Sequence, residues 1–437
     1  MVGSSLLTLP WAFAHSGLLL GVLVALLCGL SSMHTCVLVV QDGGPDPDYG
    51  DTVGRWLGAR AKQLHLASSV LVMLGVNVGY YQLLTQCLYP PLQGVANLLR
   101  PAAMATPAYP DIYRVALDEF SLAWVCLPVS LGLFFLFAQR DFSCFLKLNS
   151  LGVLSVLFVL LTTAGYALYA FATTAFTISL SPSPSLSQPA PQHVSLFAWD
   201  FGKLAGLLGS GFLIHNFILP ILRHSTSTSA QHRTRAVRLG FGLVFLSYAG
   251  VGVLGYFAFS GSAFRSSPAP LSATQVSLNM FAPTHPLAFL LRAVSAFQTL
   301  SVLPLAFSLM RSQTFALCGL PLDSRCAFWL FNCALLLTAT LLGIFFPNVG
   351  SIMAWVGAFC GFALIYLLPV AVRLRKQHLL HSFHLSTYAQ PLLADPSTST
   401  SSGGCYICSV CFNLAVLGVG AAVFVLQFVP APARGLS

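Results

Sequence analysis

Charge is what this sequence has little of. Only 7% of its 437 residues are Asp, Glu, Lys or Arg, against about 25% in a soluble globular chain. So few charges cannot clothe a surface that faces water, which excludes the soluble globular and the disordered classes. Acids are the scarcer half: there are eleven, and each falls in a loop or at the edge of an apolar run. Paired carboxylates within an apolar run, as acid–base catalysis in a membrane would need, are missing. So are a Gly-x-Ser-x-Gly elbow, a His-Glu-x-x-His helix and a Walker loop. The chain is therefore expected not to be an enzyme and to carry no organic cofactor. No Lys or Arg precedes Arg55, so the positive flank of a signal peptide is lacking, and residues 1–41 read as two mature helices. A secreted disulfide framework is lacking too. Most of the twelve cysteines, such as Cys28, Cys126, Cys333 and Cys360, lie inside apolar runs, where a thiol packs as a small apolar group.

What is present is hydrophobic: 56% of residues, in recurrent runs near the about 20 residues that span a bilayer. The fold class is an all-α polytopic membrane protein. Eleven spans are expected, at about 1–14, 17–40, 64–88, 120–138, 148–172, 202–222, 237–259, 284–310, 326–346, 350–372 and 406–429. The Pro-rich loop Ser181–Gln192 and the Ser/Thr-rich residues 385–404 read as disordered. The formal net charge of +9 does not point to nucleic acid, because the basic residues sit in short loops and at span ends. Fourteen of the twenty, among them Arg55, Arg373 and Lys376, fall on one side, and six, among them Lys203 and Arg292, on the other. The richer side is expected to be cytosolic.

Two apolar segments are broken alike. One reads Gly3-Ser4-Ser5-Leu6-Leu7-Thr8-Leu9-Pro10, the other Gly209-Ser210-Gly211-Phe212-Leu213-Ile214-His215-Asn216-Phe217-Ile218-Leu219-Pro220. In lipid an unpartnered backbone group costs several kcal/mol, so such breaks persist where backbone lines a cavity or meets a ligand. With the topology above, spans 1–5 and 6–10 run in opposite directions. The expectation is one transmembrane transport domain over 1–437, made of repeat one (1–172), an inverted repeat two (202–372) and an extra helix (406–429). The chain begins at the first break, so its first helix is expected to be truncated.

The first-helix run from Gly3 to Phe13 resembles the signature of the amino acid/auxin permease family, and within it the sodium-coupled neutral amino acid transporters, solute carrier family 38. Ile214-His215-Asn216, Phe297-Gln298-Thr299-Leu300-Ser301-Val302-Leu303-Pro304, Pro347-Asn348-Val349-Gly350 and the stretch Phe145 to Phe158 look most like that group's lysosomal, arginine-transporting branch. The resemblance implies a LeuT-like inverted five-plus-five fold and secondary active transport by alternating access. In that cycle spans 1, 2, 6 and 7 rock against spans 3–5 and 8–10. It implies an amino acid substrate, arginine or a small neutral one such as glutamine, in a lysosomal, late endosomal or plasma membrane. It also implies a sodium ion between the first break and span 8, where Thr299 and Ser301 lie, with Ser301 on the family's hydroxyl position. The cytosolic tail through which the lysosomal branch meets signalling partners does not precede Met1, so such partners are not expected. The bilayer and the substrate are the expected partners, and nucleic acid is not.

The substrate's carboxylate would meet free N–H groups at a broken helix, and its ammonium would meet unwound carbonyls. Gly3, Ser4, Ser5, Leu6, Ser210 and Gly211 are the candidates for this role; the alternative is close helix packing by small residues. His215 and Asn216 are expensive in mid-span. His215 could couple transport to protons or simply tie two helices together. Asn77 in span 3 could touch substrate or pack. A rival function is an amino acid sensor that binds in the lysosomal membrane without efficient turnover.

Overall fold

The structure, a computed structural model, describes residues 5–44, 46, 48–99, 120–139, 143–173, 176–179, 192–223, 229–260, 271, 275–281, 285–321, 323–388 and 399–426. Among these most residues are helical, joined by short turns and one short strand pair. The helices are α1 (Ser5–Ser16), α2 (Leu18–Gly43), α3 (Tyr49–Leu57), α4 (Ala59–Leu99), α5 (Leu122–Phe137), α6 (Ser143–Ser150), α7 (Gly152–Thr173), α8 (Gly202–Gly211), α9 (Ile218–Arg223), α10 (Ala230–Ser260), α11 (Pro286–Cys318), α12 (Arg325–Phe345), α13 (Val349–Gly361), α14 (Leu368–Tyr388) and α15 (Ser399–Leu426). A π-helical stretch, Phe362–Leu367, joins α13 to α14. Among the described residues eight helices are long and apolar enough to cross a membrane, and α5 is a shorter apolar helix. Strands β1 (Phe176–Ser179) and β2 (Gln192–Ser195) pair in parallel, Phe176 opposite Gln192.

Local chemistry explains the helix ends. Asp48 caps α3 by accepting from the Asp51 N–H at 3.0 Å. Pro286 opens α11, where its missing N–H is harmless, and Gly319 ends it in the left-handed region at φ 64°. Gly17 turns the chain between α1 and α2 at φ 78°, and a Cβ there would stand 2.7 Å from the Leu196 backbone. That contact is built: the Leu196 carbonyl accepts from Leu19 N–H at 3.0 Å, and Ala198 N–H donates to the Ser16 carbonyl at 2.9 Å.

Side chains sort as lipid demands. Leu131, Leu157, Leu243 and Leu330 stand exposed on α5, α7, α10 and α12, while Phe13, Tyr81, Phe212, Tyr248 and Phe307 are fully buried. An outer apolar belt suits hydrocarbon and would be a liability in water. Inside, α11 lies along α4, α8 along α13, and α10 against α1, α2 and α7. The α8–α13 contact is backbone on backbone: a Cβ on Gly357 would stand 1.9 Å from the Gly206 carbonyl oxygen and 2.5 Å from Ser210 N.

Some local expectations change, but span 1 holds through its proline: α1 is helical from Ser5 to Ser16. The Pro10 ring packs on α10, within 2.4 Å of where a Gly255 Cβ would lie, so the small residue opposite absorbs the ring. The stretch 385–404 is helical at both ends, because α14 runs to Tyr388 and α15 starts at Ser399. Residues 180–191 of the Pro-rich loop lie outside the described residues. A further interruption, not foreseen, separates α6 from α7 at Leu151.

Candidate functional site

Unwinding in the second broken segment runs from Phe212 to Phe217. The α8 ladder closes with Phe212 N–H on the Leu208 carbonyl at 2.8 Å, and the chain restarts where the Ile214 carbonyl accepts from Phe217 and Ile218 at 2.8 and 2.9 Å. Pro220 is the third residue of α9, within the first turn, whose N–H groups lack intrahelical partners in any case. Gly209, Ser210 and Gly211 form the last turn of α8. The Ser210 hydroxyl donates to the Leu207 carbonyl at 2.8 Å, and its backbone lies against Gly357. Gly3 and Ser4, of the first broken segment, lie outside the described residues.

Tyr248, on α10, joins the two segments. Its hydroxyl accepts from the Ser5 hydroxyl at 3.1 Å and donates to the Gly211 carbonyl at 3.1 Å. Gly211 also makes room for it, since a Cβ there would stand 2.8 Å from the Tyr248 ring. Sequence reading singled out Ser5 and Gly211 and missed Tyr248. The available signal was a phenol in the middle of an apolar span, which needs a partner when buried.

Polar side chains of the unwound segment reach neighbouring helices. His215 is fully buried, and its Nε2 lies 3.0 Å from Thr35 Oγ1 on α2. The Thr35 hydroxyl also reaches the Ser31 and Ser32 carbonyls at 3.2 and 3.1 Å. It has one proton, so when a carbonyl takes it, His215 Nε2 is the donor. Asn216 donates from Nδ2 to Ser69 Oγ on α4 at 2.6 Å, and Ser69 donates to Gln313 Oε1 on α11. One unwound segment thus touches α2, α4 and, through Ser69, α11.

A small cavity lies between helices. Leu6 and Leu7 of α1, Leu83 of α4, Ser155, Val156 and Val159 of α7, and Ser295, Gln298 and Thr299 of α11 line it, and the free space for the centre of a water-sized sphere is about 20 Å³. That is room for roughly one or two waters in this conformation, so a ligand would need the helices to part. Among the described residues, Ser295 Oγ and Gln298 Oε1 are buried without a partner. Gln298 fits because Gly152 has no side chain: a Cβ there would stand 2.1 Å from Gln298 Oε1. Leu6 and Thr299, both foreseen, line this space. The Thr299 hydroxyl donates to the Ser295 carbonyl at 2.8 Å, and Ser301 to the Gln298 carbonyl at 2.8 Å. A hydroxyl donating in this way keeps lone pairs for a cation. Thr299, Ser295 and Gln298 therefore present the hard neutral oxygens a sodium ion takes, whereas Ser301 is not among the lining residues. Asn77 is elsewhere. Its Nδ2 donates to the Met73 carbonyl at 2.7 Å, and it lines a separate, mainly apolar cavity with Tyr81, Phe137 and Phe307.

Two ionic clusters lie far apart in the helix bundle, one at the α2–α14 contact and one at the α1–α8 contact. At the end expected to be cytosolic, the Asp42 side chain (1% exposed) on α2 meets Lys376 of α14 at 3.0 Å and Arg373 Nε at 2.9 Å. The Arg373 N–H is close enough to pair but not aimed for a hydrogen bond. Burial, and then the Asp42 carboxylate, push the nearby Tyr49 phenol upward. At the opposite end His15 of α1 and Lys203 of α8 share Asp200, at 3.0 and 2.6 Å. Burial works against ionising Asp200, but hydrogen bonds from His15 and Lys203 outweigh it and hold the carboxyl below its usual range. An Asp42→Asn variant, leaving two cations facing an amide, is expected to lose about 2 kcal/mol. This is less than a fully buried pair because both cations are partly solvated. A thermal melt in detergent measures it, and an unchanged melting temperature refutes it.

Residues 1–380 match the family described as transmembrane amino acid transporter protein. The chain is similar to a Caenorhabditis elegans protein named sodium-coupled neutral amino acid transporter 9 homolog, 26% identical over 431 residues, covering 86% of this chain and 66% of the relative. It is similar to the neutral amino acid transporter 9 of Danio rerio, 26% identical over 415 residues (86% and 72%), and to that of Rattus norvegicus, 25% identical over 423 residues (86% and 72%). The chain thus spans about two thirds to three quarters of the length of these relatives.

Proposed function

From the premise that the chain belongs to the transmembrane amino acid transporter family, a family of transporters and not of enzymes, we propose that it moves neutral amino acids across its membrane by alternating access. The cavity carries this reading. It is bounded by α1, α4, α7 and α11, and it holds two unpartnered polar oxygens and no charged side chain among its lining residues. Such a lining suits a zwitterion with a neutral side chain; a guanidinium would want a carboxylate. Gln298 Oε1 and Ser295 Oγ are acceptors for the ammonium group.

Eleven crossings complete the scheme: the eight long helices, α5, α1 and the α8–α9 pair, arranged as an inverted five-plus-five repeat with α15 as the extra helix. The two ionic clusters then serve as gates at opposite ends. Sodium, as the coupling ion, would be held by the neutral hydroxyl oxygen of Thr299 with backbone carbonyls, supplying positive charge beside the substrate carboxylate. A lysosomal membrane is proposed on the resemblance of the chain to its relatives alone.

Uptake of radiolabelled amino acids into proteoliposomes tests this. Saturable uptake of a small neutral amino acid such as glutamine is expected. Gln298→Leu is expected to lower it by at least about tenfold, the loss of one hydrogen bond to a charged group, without lowering the melting temperature. Folded protein that takes up none of the twenty refutes transport, and binding without flux would make it a sensor.

A further inference from the structure

Arg292 stands two turns into α11 and is only 4% exposed. Its Nη2 donates to the Leu278 carbonyl at 2.8 Å. Its Nε and Nη1 are buried and have no acceptor among the described residues, and no carboxylate pairs with it there. A guanidinium has five N–H donors, so one carbonyl leaves most of them idle. An idle charge in a low-dielectric span costs several kcal/mol.

The neighbourhood does not relieve it. The polar groups next in sequence to Leu278 and Cys87 bond to other partners: Asn279 donates to Gln86 Oε1 at 3.0 Å, and Gln86 Nε2 donates to the Pro347 carbonyl at 3.3 Å. Between Gly261 and His285 the chain has no Asp or Glu. Cys87, the ionisable group whose charge acts on Arg292 among the described residues, is a buried thiol. The geometry places this charge beside the cavity. Arg292 is three residues before Ser295 on α11, and Cys87 four after Leu83 on α4, and both Ser295 and Leu83 line the cavity. The Arg292–Cys87 layer therefore lies one helical turn, about 5 Å, beyond the cavity wall, on the side away from Asp42 and Lys376.

We propose that Arg292 is an anion site, which takes a monovalent anion one turn above the cavity. The chemistry is the same for two sources, a halide such as chloride and the carboxylate of an arriving amino acid. The second source rests on the transport reading and the first does not.

The experiment uses the full chain in detergent at constant ionic strength, with isethionate as the replacement anion. Chloride and bromide are titrated while thermal unfolding is read, and then glutamine and its carboxamide analogue are titrated in chloride-free buffer. Wild type is expected to show a saturable rise in melting temperature. Arg292→Met is expected to weaken the apparent anion affinity at least about tenfold, the loss of one charge-assisted contact. Without added anion it should melt no lower than wild type, because it removes an unpaired buried charge. Arg292→Lys, which keeps the charge, guards against a Met variant that fails to fold. It should bind more weakly than wild type but more tightly than Met. A shift with halide alone assigns a free anion; a shift with glutamine but not its carboxamide assigns the substrate carboxylate. The proposal is overturned if neither halide nor glutamine stabilises wild type more than Arg292→Met. It is also overturned if the Met variant melts well below wild type in anion-free buffer, the mark of a structural clamp. Failed uptake alongside an intact halide shift leaves the anion site standing and removes the transport reading alone.

Discussion

Gly357→Ala is expected to leave no stably folded protein. The added Cβ would stand 1.9 Å from the Gly206 carbonyl oxygen and 2.5 Å from Ser210 N, and both obstacles are backbone. A flexible side chain could swing aside, but here α8 must move away from α13 as a body. Overpacking among side chains costs about 1–3 kcal/mol, and a backbone clash belongs at or above the upper end. The displaced helix is also the one that ends at Gly211 and carries the unwound segment, so any residual fold should lose uptake as well. Size-exclusion profiles and thermal melts in detergent read the result. Gly165→Ala is the control: it also lies within a helix, and nothing stands within 4 Å of its added Cβ. It should be neutral or slightly stabilising, because Ala is the better helix former. A Gly357→Ala protein that melts like wild type sinks the close-packed α8–α13 contact.

Tyr248→Phe is expected to fold and to lose transport. It removes one oxygen and nothing else from a fully buried ring. That oxygen accepts from Ser5 and donates to the Gly211 carbonyl, so the variant strands a buried hydroxyl and a buried carbonyl. Each stranded group costs about 1–3 kcal/mol. The structural result should be a lowered melting temperature. The functional result should be larger, an uptake loss of about a hundredfold if about 2.7 kcal/mol of positioning across the two broken segments is lost. Ser5→Ala strands less, since Tyr248 keeps its carbonyl, and should fall between Tyr248→Phe and wild type. Equal uptake in all three would mean that Tyr248 does no more than fill space.

These predictions turn on contacts of uneven legibility. The second broken segment was readable, because Gly, Ser and Asn beside a proline are weak helix formers whose preference is local. Even so, unwinding begins at Phe212, one residue past the glycine, because α13 lies against Gly206, Gly209 and Ser210 and holds that turn together. Pro10 sits inside α1, as the span 1–14 requires, and a bare Gly255 on another helix accommodates its ring. Thr299 and Leu6 were found where the cavity is, and Asn77 was not. Its span was correctly placed, but the face it presents depends on how α4 is rotated against α11. Gln298 was quoted within a motif and given no role, although an amide in mid-span is costly enough to mark it.

Sequence alone determined that this is a many-helix membrane protein, where its helices run and where one of them yields. Lipid supplies no hydrogen bonds, so each span must satisfy its backbone within itself, and a helix is a local solution that local residues reveal. Only the tertiary structure decided which polar groups meet. Ser5 and Tyr248 are 243 residues apart, and Asn216 and Ser69 are 147 apart. Partnership over such distances is set by the rotation and approach of whole helices, and hydrophobic pattern does not encode that. The same holds for Arg292: its charge is plain in the sequence, but that one carbonyl alone meets it among the described residues is known only once the helices are packed.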